Sequence, residues 1–171
     1  INPQHHILLR KGIQAAGSPL LVTGPGTGLG VAALLPSSSG PMVIEGEGGH
    51  VSFAPRDECE RDILAVFEAE YGHVSAERVV SGPGLEAIYK IQNDARLLAP
   101  EIGDGALAGD NKCLRAVNLM FKSFATVIAN AALSFGAGAG IVIAGGITPR
   151  LRGLLDPVSY THLTLPTKQD V

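Results

Sequence analysis

An apolar stripe in the second half of the chain constrains the fold most. Leu114, Val117, Phe121, Phe124, Ile128, Ala131 and Phe135 recur at the 3.6-residue period of an α-helix, while Arg115, Asn118, Lys122 and Asn130 fall off that stripe. The spacing predicts a long core helix. Around it lie short runs of a different kind. Leu20-Leu-Val-Thr-Gly24, Leu29 to Leu35 and Met42-Val-Ile44 read as three strands, joined by a glycine turn and by Pro36-Ser-Ser-Ser-Gly40; Ile141-Val-Ile-Ala144 reads as a buried strand after the helix. The expected class is α/β, with the first three strands forming a meander.

Two further helices are expected between these blocks. Asp57-x-x-Glu60 is a capping-box pattern that opens a helix with apolar positions Ile63, Leu64, Val66, Phe67 and Tyr71, and Gly72 closes it. Glu68 and Glu70 flank that stripe as its solvated face. A second helix follows Pro83 and carries Leu85, Ile88, Tyr89 and Ile91. The stretch from Asn93 to Gly109 is less regular. Gly145-Gly146 reads as a turn, with Thr148 as the N-cap and Pro149 as the first position of one more helix.

Composition excludes several function classes. A chain of 171 residues with 46% hydrophobic and 17% charged residues is long and apolar enough for one compact domain, and unlike a disordered segment. A net charge of −3 without a Lys/Arg block gives no electrostatic footprint for nucleic acid or an anionic membrane. Cys59 and Cys113 form no Cys-x-x-Cys pair, which fits free thiols in a reduced, cytoplasmic setting. The most apolar stretch, Phe124 to Phe135, is interrupted by Asn130 and falls short of the ~20 residues of a membrane span.

The chemistry is concentrated between residues 45 and 84. Glu47, His50 and Glu77 sit among glycines that admit a small ligand to the backbone, and ionised carboxylates accept several hydroxyl hydrogen bonds, as a polyol requires. Each residue also has a plainer reading: a solvated carboxylate for Glu47, a strand-edge histidine for His50, and a first-turn helix charge for Glu77. The three-residue spacing of Glu47 and His50 in a glycine-bounded segment favours a cleft for those two. His73 is assigned to structure.

The glycine run Gly24-Pro-Gly26-Thr27-Gly28-Leu-Gly30 is neither a Walker A loop, since no Gly-Lys-Ser/Thr follows, nor a Rossmann loop, since a strand follows where a helix is needed. Two readings stay open. Successive N–H groups with the Thr27 hydroxyl can form a nest for nucleotide phosphates, or the glycines serve only a tight hairpin turn with φ > 0.

Four motifs in order, Gly24 to Val31, Glu45 to Pro55, Gly72 to Gly84 and Ala144 to Arg150, resemble bacterial glucokinase over about residues 5 to 155. The resemblance implies the actin-like, ribonuclease-H-like ATPase fold, in which two lobes close over glucose and ATP with Mg²⁺. This chain resembles the larger C-terminal lobe, cut at both ends: 1–18 as a remnant of the interlobe segment, 19–155 as the lobe, and 156–171 as a non-native tail similar to translated adapter sequence. The resemblance assigns Glu47, His50 and Glu77 to glucose hydroxyls, Gly24 and the Gly26-Thr27-Gly28 turn to ATP phosphates, and Gly145-Gly146 to the adenosine side. It also implies a homodimer and a cytoplasmic location. The family's first phosphate loop, Asp-x-Gly-Gly-Thr, and its Asn-Asp pair with the catalytic base do not occur in residues 1 to 171. No catalytic base or metal ligand is therefore assigned, His162 has no role, and the isolated polypeptide is expected to be inactive. Two other classes fit the same motifs: a sugar kinase or transcriptional regulator of the repressor/kinase group, and a non-catalytic sugar-binding lobe.

Overall fold

The computed structural model describes residues 7–155; the expectations for residues 156–171 lie outside them. Three strands, β1 (Leu20–Pro25), β2 (Leu29–Leu35) and β3 (Met42–Gly46), form an antiparallel meander. A fourth, β4 (Gly140–Ile143), pairs parallel to β1, so the sheet order is β3-β2-β1-β4. The register of the first hairpin sets Gly24 opposite Gly30 and Pro25 opposite Leu29. Alternation along β2 sends Leu29, Val31 and Ala33 into the core.

Between β3 and β4 the chain is helical: α1 (Glu58–Tyr71), α2 (Ala76–Val79), α3 (Gly82–Asn93), α4 (Ala99–Leu107) and α5 (Asn111–Phe135). After β4 come the single turn α6 (Ile147–Arg150) and a 3₁₀ turn at Arg152–Leu154. Helix α5 is the spine. Val117, Phe121, Phe124 and Ile128 are buried, and α3 and α4 pack against it. By length and composition it could cross a membrane, with a mean hydropathy of 1.4, yet 61% of that apolar window is buried inside the protein. This is how the central helix of a packed core reads.

Three sequence expectations are revised. The less regular stretch 93–109 contains α4, whose propensity is masked by Gly103 and Gly105. Those glycines admit close neighbours: a Cβ at Gly105 would sit 2.6 Å from Cys113 Sγ, and one at Gly103 would sit 3.3 Å from the Leu151 side chain. Helix α6 starts earlier than Thr148, with Gly146 at the N-cap, and Thr148 is buried within the first turn. The capping box at Asp57 is half formed. Asp57 accepts from the Glu60 N–H at 3.0 Å, but the Glu60 carboxylate turns inward, accepting from the Arg56 N–H at 2.6 Å and from Ser123 Oγ at 3.0 Å.

Candidate functional site

The glycine hairpin between β1 and β2 holds its shape through bonds that spare part of its tip. Thr23 is buried and its hydroxyl donates to the Gly30 carbonyl at 2.8 Å; the Gly26 N–H donates to the Gly28 carbonyl at 2.8 Å. None of Gly24, Gly26, Gly28 or Gly30 has a positive φ, so left-handed backbone is not why glycine is there. Close approach is. A Cβ at Gly24 would strike the Ala144 carbonyl at the end of β4, and one at Gly28 would lie 2.5 Å from Glu77 Oε2. At Gly26 a Cβ would meet nothing within 4 Å. The N–H groups of Thr27 and Gly28 and the Thr27 hydroxyl carry no hydrogen bond to the described residues.

Glu77 reaches this hairpin from α2. Ser75 caps that short helix, its Oγ accepting from the Arg78 N–H at 3.3 Å, which sets Glu77 in the first turn. Its Oε2 accepts the Leu29 N–H at 2.8 Å across 48 residues of sequence. Leu29 receives a second partner on its other side, because Gly49 packs so closely on the Leu29 carbonyl that any Cβ there would collide. A Cβ at Gly48 would lie 2.9 Å from the Val31 side chain.

A backbone zipper holds the two acidic motifs side by side. The Phe53 N–H donates to the Val74 carbonyl at 2.9 Å, and the Ala76 N–H donates to the Val51 carbonyl at 2.8 Å. The turn Gly48–His50 is 3₁₀, with Glu47 at its start. Glu47 Oε2 and His50 Nε2 lie 3.6 Å apart, with the side chains 90% and 61% exposed. Both heads therefore face solvent as a pair, while Glu77 is half-buried against the hairpin. His73, assigned to structure, pairs with Ser52 Oγ at 3.2 Å.

A cleft of about 290 Å³ opens on the other side of the hairpin tip. Gly26 and Thr27 form one wall, Gly146, Ile147 and Arg150 a second, and the starts of α3 and α4, including Pro83, Glu86, Ala99 and Pro100, a third. Of the two glycines of the 145–146 turn, Gly146 faces this space. Gly145 has φ +83°, and a Cβ on it would strike the Pro25 carbonyl, so it serves the packing of β4 on the hairpin. Arg150 donates to Asp104 Oδ1 at 2.6 Å on the rim. Sequence reasoning missed the third wall. Glu86 and Ala99 lie in no recognisable motif, and the only signal for this wall is Pro83, near the end of the motif from Gly72 to Gly84.

The comparisons with known proteins bear on family and fold. A family model described as glucokinase matches residues 1–162. The glucokinase of Chromohalobacter salexigens is 41% identical over 162 residues, covering 91% of this chain and 50% of that protein. The glucokinase of Klebsiella pneumoniae is 44% identical over 157 residues, covering 88% of this chain and 49% of its own length. The crystal structure of a glucokinase from an Antarctic psychrotroph superposes with a TM-score of 0.82 at 29% identity, covering 96% of this chain and 52% of that one. The chain thus spans about half the length of the relatives it matches, and its mixed sheet with stacked helices is part of the actin-like ATPase fold. With the family model matching residues 1–162 and relatives of that family at 41% and 44% identity, the chain belongs to the glucokinase family.

Proposed function

We propose that this chain carries the sugar- and nucleotide-binding surfaces of an ATP-dependent glucokinase, which transfers the γ-phosphoryl group of ATP to the 6-hydroxyl of glucose. The bond from Leu29 N–H to Glu77 Oε2 carries the reading, because it fixes a sugar-side carboxylate against the hairpin proposed to hold phosphate. One piece of backbone then registers both substrates. Phosphoryl transfer depends chiefly on such positioning and on charge stabilisation.

In this reading Glu47, His50 and Glu77 take glucose hydroxyls, the carboxylates as acceptors. The Thr27 and Gly28 N–H groups and the Thr27 hydroxyl donate to phosphate oxygens, and the open space at Gly26 lets phosphate approach the backbone. Gly24 and Gly145 hold the hairpin against β4, and Gly146 borders the adenosine side. Magnesium supplies charge neutralisation on the phosphates. The described residues contain no group of three His, Cys, Asp or Glu that could cage an ion. Such sites ordinarily use one or two carboxylates plus substrate phosphates, so no residue of this chain is assigned to Mg²⁺ and no step runs through it. The base that takes the proton of the 6-hydroxyl is proposed to come from outside these residues. The intact enzyme is proposed to be a cytoplasmic homodimer that binds neither nucleic acid nor membrane.

The test has two arms. In a coupled assay the 171-residue chain is expected to give no glucose 6-phosphate, and robust turnover would refute the assignment of the base. Calorimetry with glucose should register binding that Glu77→Gln weakens; unaltered binding in that variant would remove Glu77 from the site. Glucose binding without turnover in the full-length protein would favour a sugar-binding module over a kinase.

A further inference from the structure

The segments that carry His50 and Glu77 are too short to hold themselves in place. Helix α2 is a single turn of four residues and the turn Gly48–His50 has three, so neither contains enough hydrogen bonds to fix its own direction. What joins them is a short antiparallel register in which Ser52 lies opposite Ser75, flanked by the bonds from the Phe53 N–H to the Val74 carbonyl and from the Ala76 N–H to the Val51 carbonyl. Two residues further along that register, His50 comes opposite Glu77. Among the described residues the Glu47 and His50 heads have no side-chain partner but each other, so this register sets where they stand relative to Glu77. One side-chain bond crosses it diagonally: Ser52 Oγ and His73 Nε2 lie 3.2 Å apart, and either atom can be the donor. From the other side, the Arg78 guanidinium lies 3.9 Å from the centre of the Tyr71 ring at the end of α1. Ser52 and His73 are both exposed, so neither contributes to the core.

We infer that the Ser52–His73 bond is a positioning clamp of the sugar site: it fixes how the His50 turn lies against the Glu77 helix, and so sets glucose affinity through two residues that act by way of their neighbours. This rests on the proposed assignment of His50 and Glu77 to one sugar. A ligand held by groups from two segments loses affinity when those segments move independently, because binding must then supply the ordering. The side-chain bond adds a constraint to a register that has two backbone bonds at its centre. Lying in solvent, it contributes little to the stability of the fold, and its loss is felt where the two segments meet the ligand.

Calorimetry with glucose on the 171-residue chain, read together with the melting temperature, tests this. Ser52→Ala and His73→Ala are each expected to weaken glucose binding about three- to tenfold while leaving the melting temperature unchanged. Because both remove the same bond, the double variant should bind no more weakly than either single one. His73→Gln keeps an amide nitrogen and oxygen for Ser52 and should restore affinity to within about twofold of the unaltered chain. Unchanged affinity in either alanine variant overturns the clamp, and so do losses that multiply in the double variant or a glutamine variant as weak as the alanine one. A fall in melting temperature that tracks the loss of affinity also overturns it, since the pair would then support the fold at large. If the clamp variants bind as the unaltered chain does while Glu77→Gln weakens binding, the sugar site stands without the clamp. If the unaltered chain binds no glucose, the sugar site itself fails, and this inference with it.

Discussion

Gly24, Gly26 and Gly145 are one letter with three surroundings, and the differences predict what substitution does. Gly145 combines φ +83° with a Pro25 carbonyl where a side chain would go, so Gly145→Ala should cost about 1–3 kcal/mol or more in a denaturant melt. Gly26→Ala meets nothing within 4 Å and should leave stability within about 0.5 kcal/mol while lowering nucleotide affinity. Equal stability loss at both positions would show that the hairpin is packed rather than open. The two cysteines separate in the same way. Cys59 is exposed; Cys113 is buried, and burial first, then the nearby Asp110 carboxylate, pushes its thiol up. Thiol labelling of the native protein at neutral pH should therefore modify Cys59 quickly and Cys113 only on unfolding. At this scale the sequence is legible where side chains carry the signal. Glu47, His50 and Glu77 announce themselves as polar groups among glycines, but the group that seats Glu77 is the Leu29 N–H, and a backbone donor has no letter. Glu86 was hidden for a related reason: a glutamate on a helix reads as solvated until its neighbours are known.

Helix ends carry the next set of predictions. Asp110 caps α5, the spine of the core, by accepting the Cys113 N–H at 2.8 Å, and that bond foremost holds its carboxyl below the ordinary carboxylate value. A folded-state pKa below the unfolded one means stability that is present above the unfolded pKa and lost as pH falls through the folded one. Asp110→Asn keeps a capping oxygen but cannot titrate. The melting-temperature gap between wild type and this variant should therefore narrow from about pH 5 to about pH 2. A gap that stays constant across that range would remove Asp110 from the acid response. A second clamp joins α1 to α5: Glu60 is fully buried between the Arg56 N–H and Ser123 Oγ, and Asp57 pairs with Lys122 at the surface. Glu60→Ala strands both donors and should destabilise by about 1–3 kcal/mol for each buried group left unpaired. Helix α5 could be read from its period alone because twenty-odd residues repeat one pattern. Helix α4 could not, because nine residues with two glycines hold too few periods and those glycines answer to Cys113 and Leu151, which are remote in sequence.

At the scale of the whole molecule, the described sheet ends in two edge strands, β3 and β4, and the fully exposed β3 edge shapes how the chain behaves in solution. Every residue of β3 is exposed, including Met42 at 52%, Val43 at 58% and Ile44 at 37%. It pairs only with β2 among the described strands. An edge strand with apolar side chains and free backbone groups is a template for another strand, and natural sheets usually protect it with charge, proline or a covering segment. Glu45 is the only charge on this strand. The four-strand order was only half legible beforehand, since the meander follows from short turns, whereas β4 joins β1 across more than a hundred residues and only the sheet's pairing reveals it. The same long-range closure brings Ala144 to Gly24 and creates the cleft. The bare edge leads to a definite outcome: the 171-residue chain should self-associate with rising concentration in sedimentation velocity, and Val43→Lys should shift it toward monomer without lowering its melting temperature, since Val43 lies outside the core. If association is unchanged by Val43→Lys, the contact lies on another face; if the unaltered chain is monomeric at all concentrations, Glu45 and the strand's twist suffice to protect the edge.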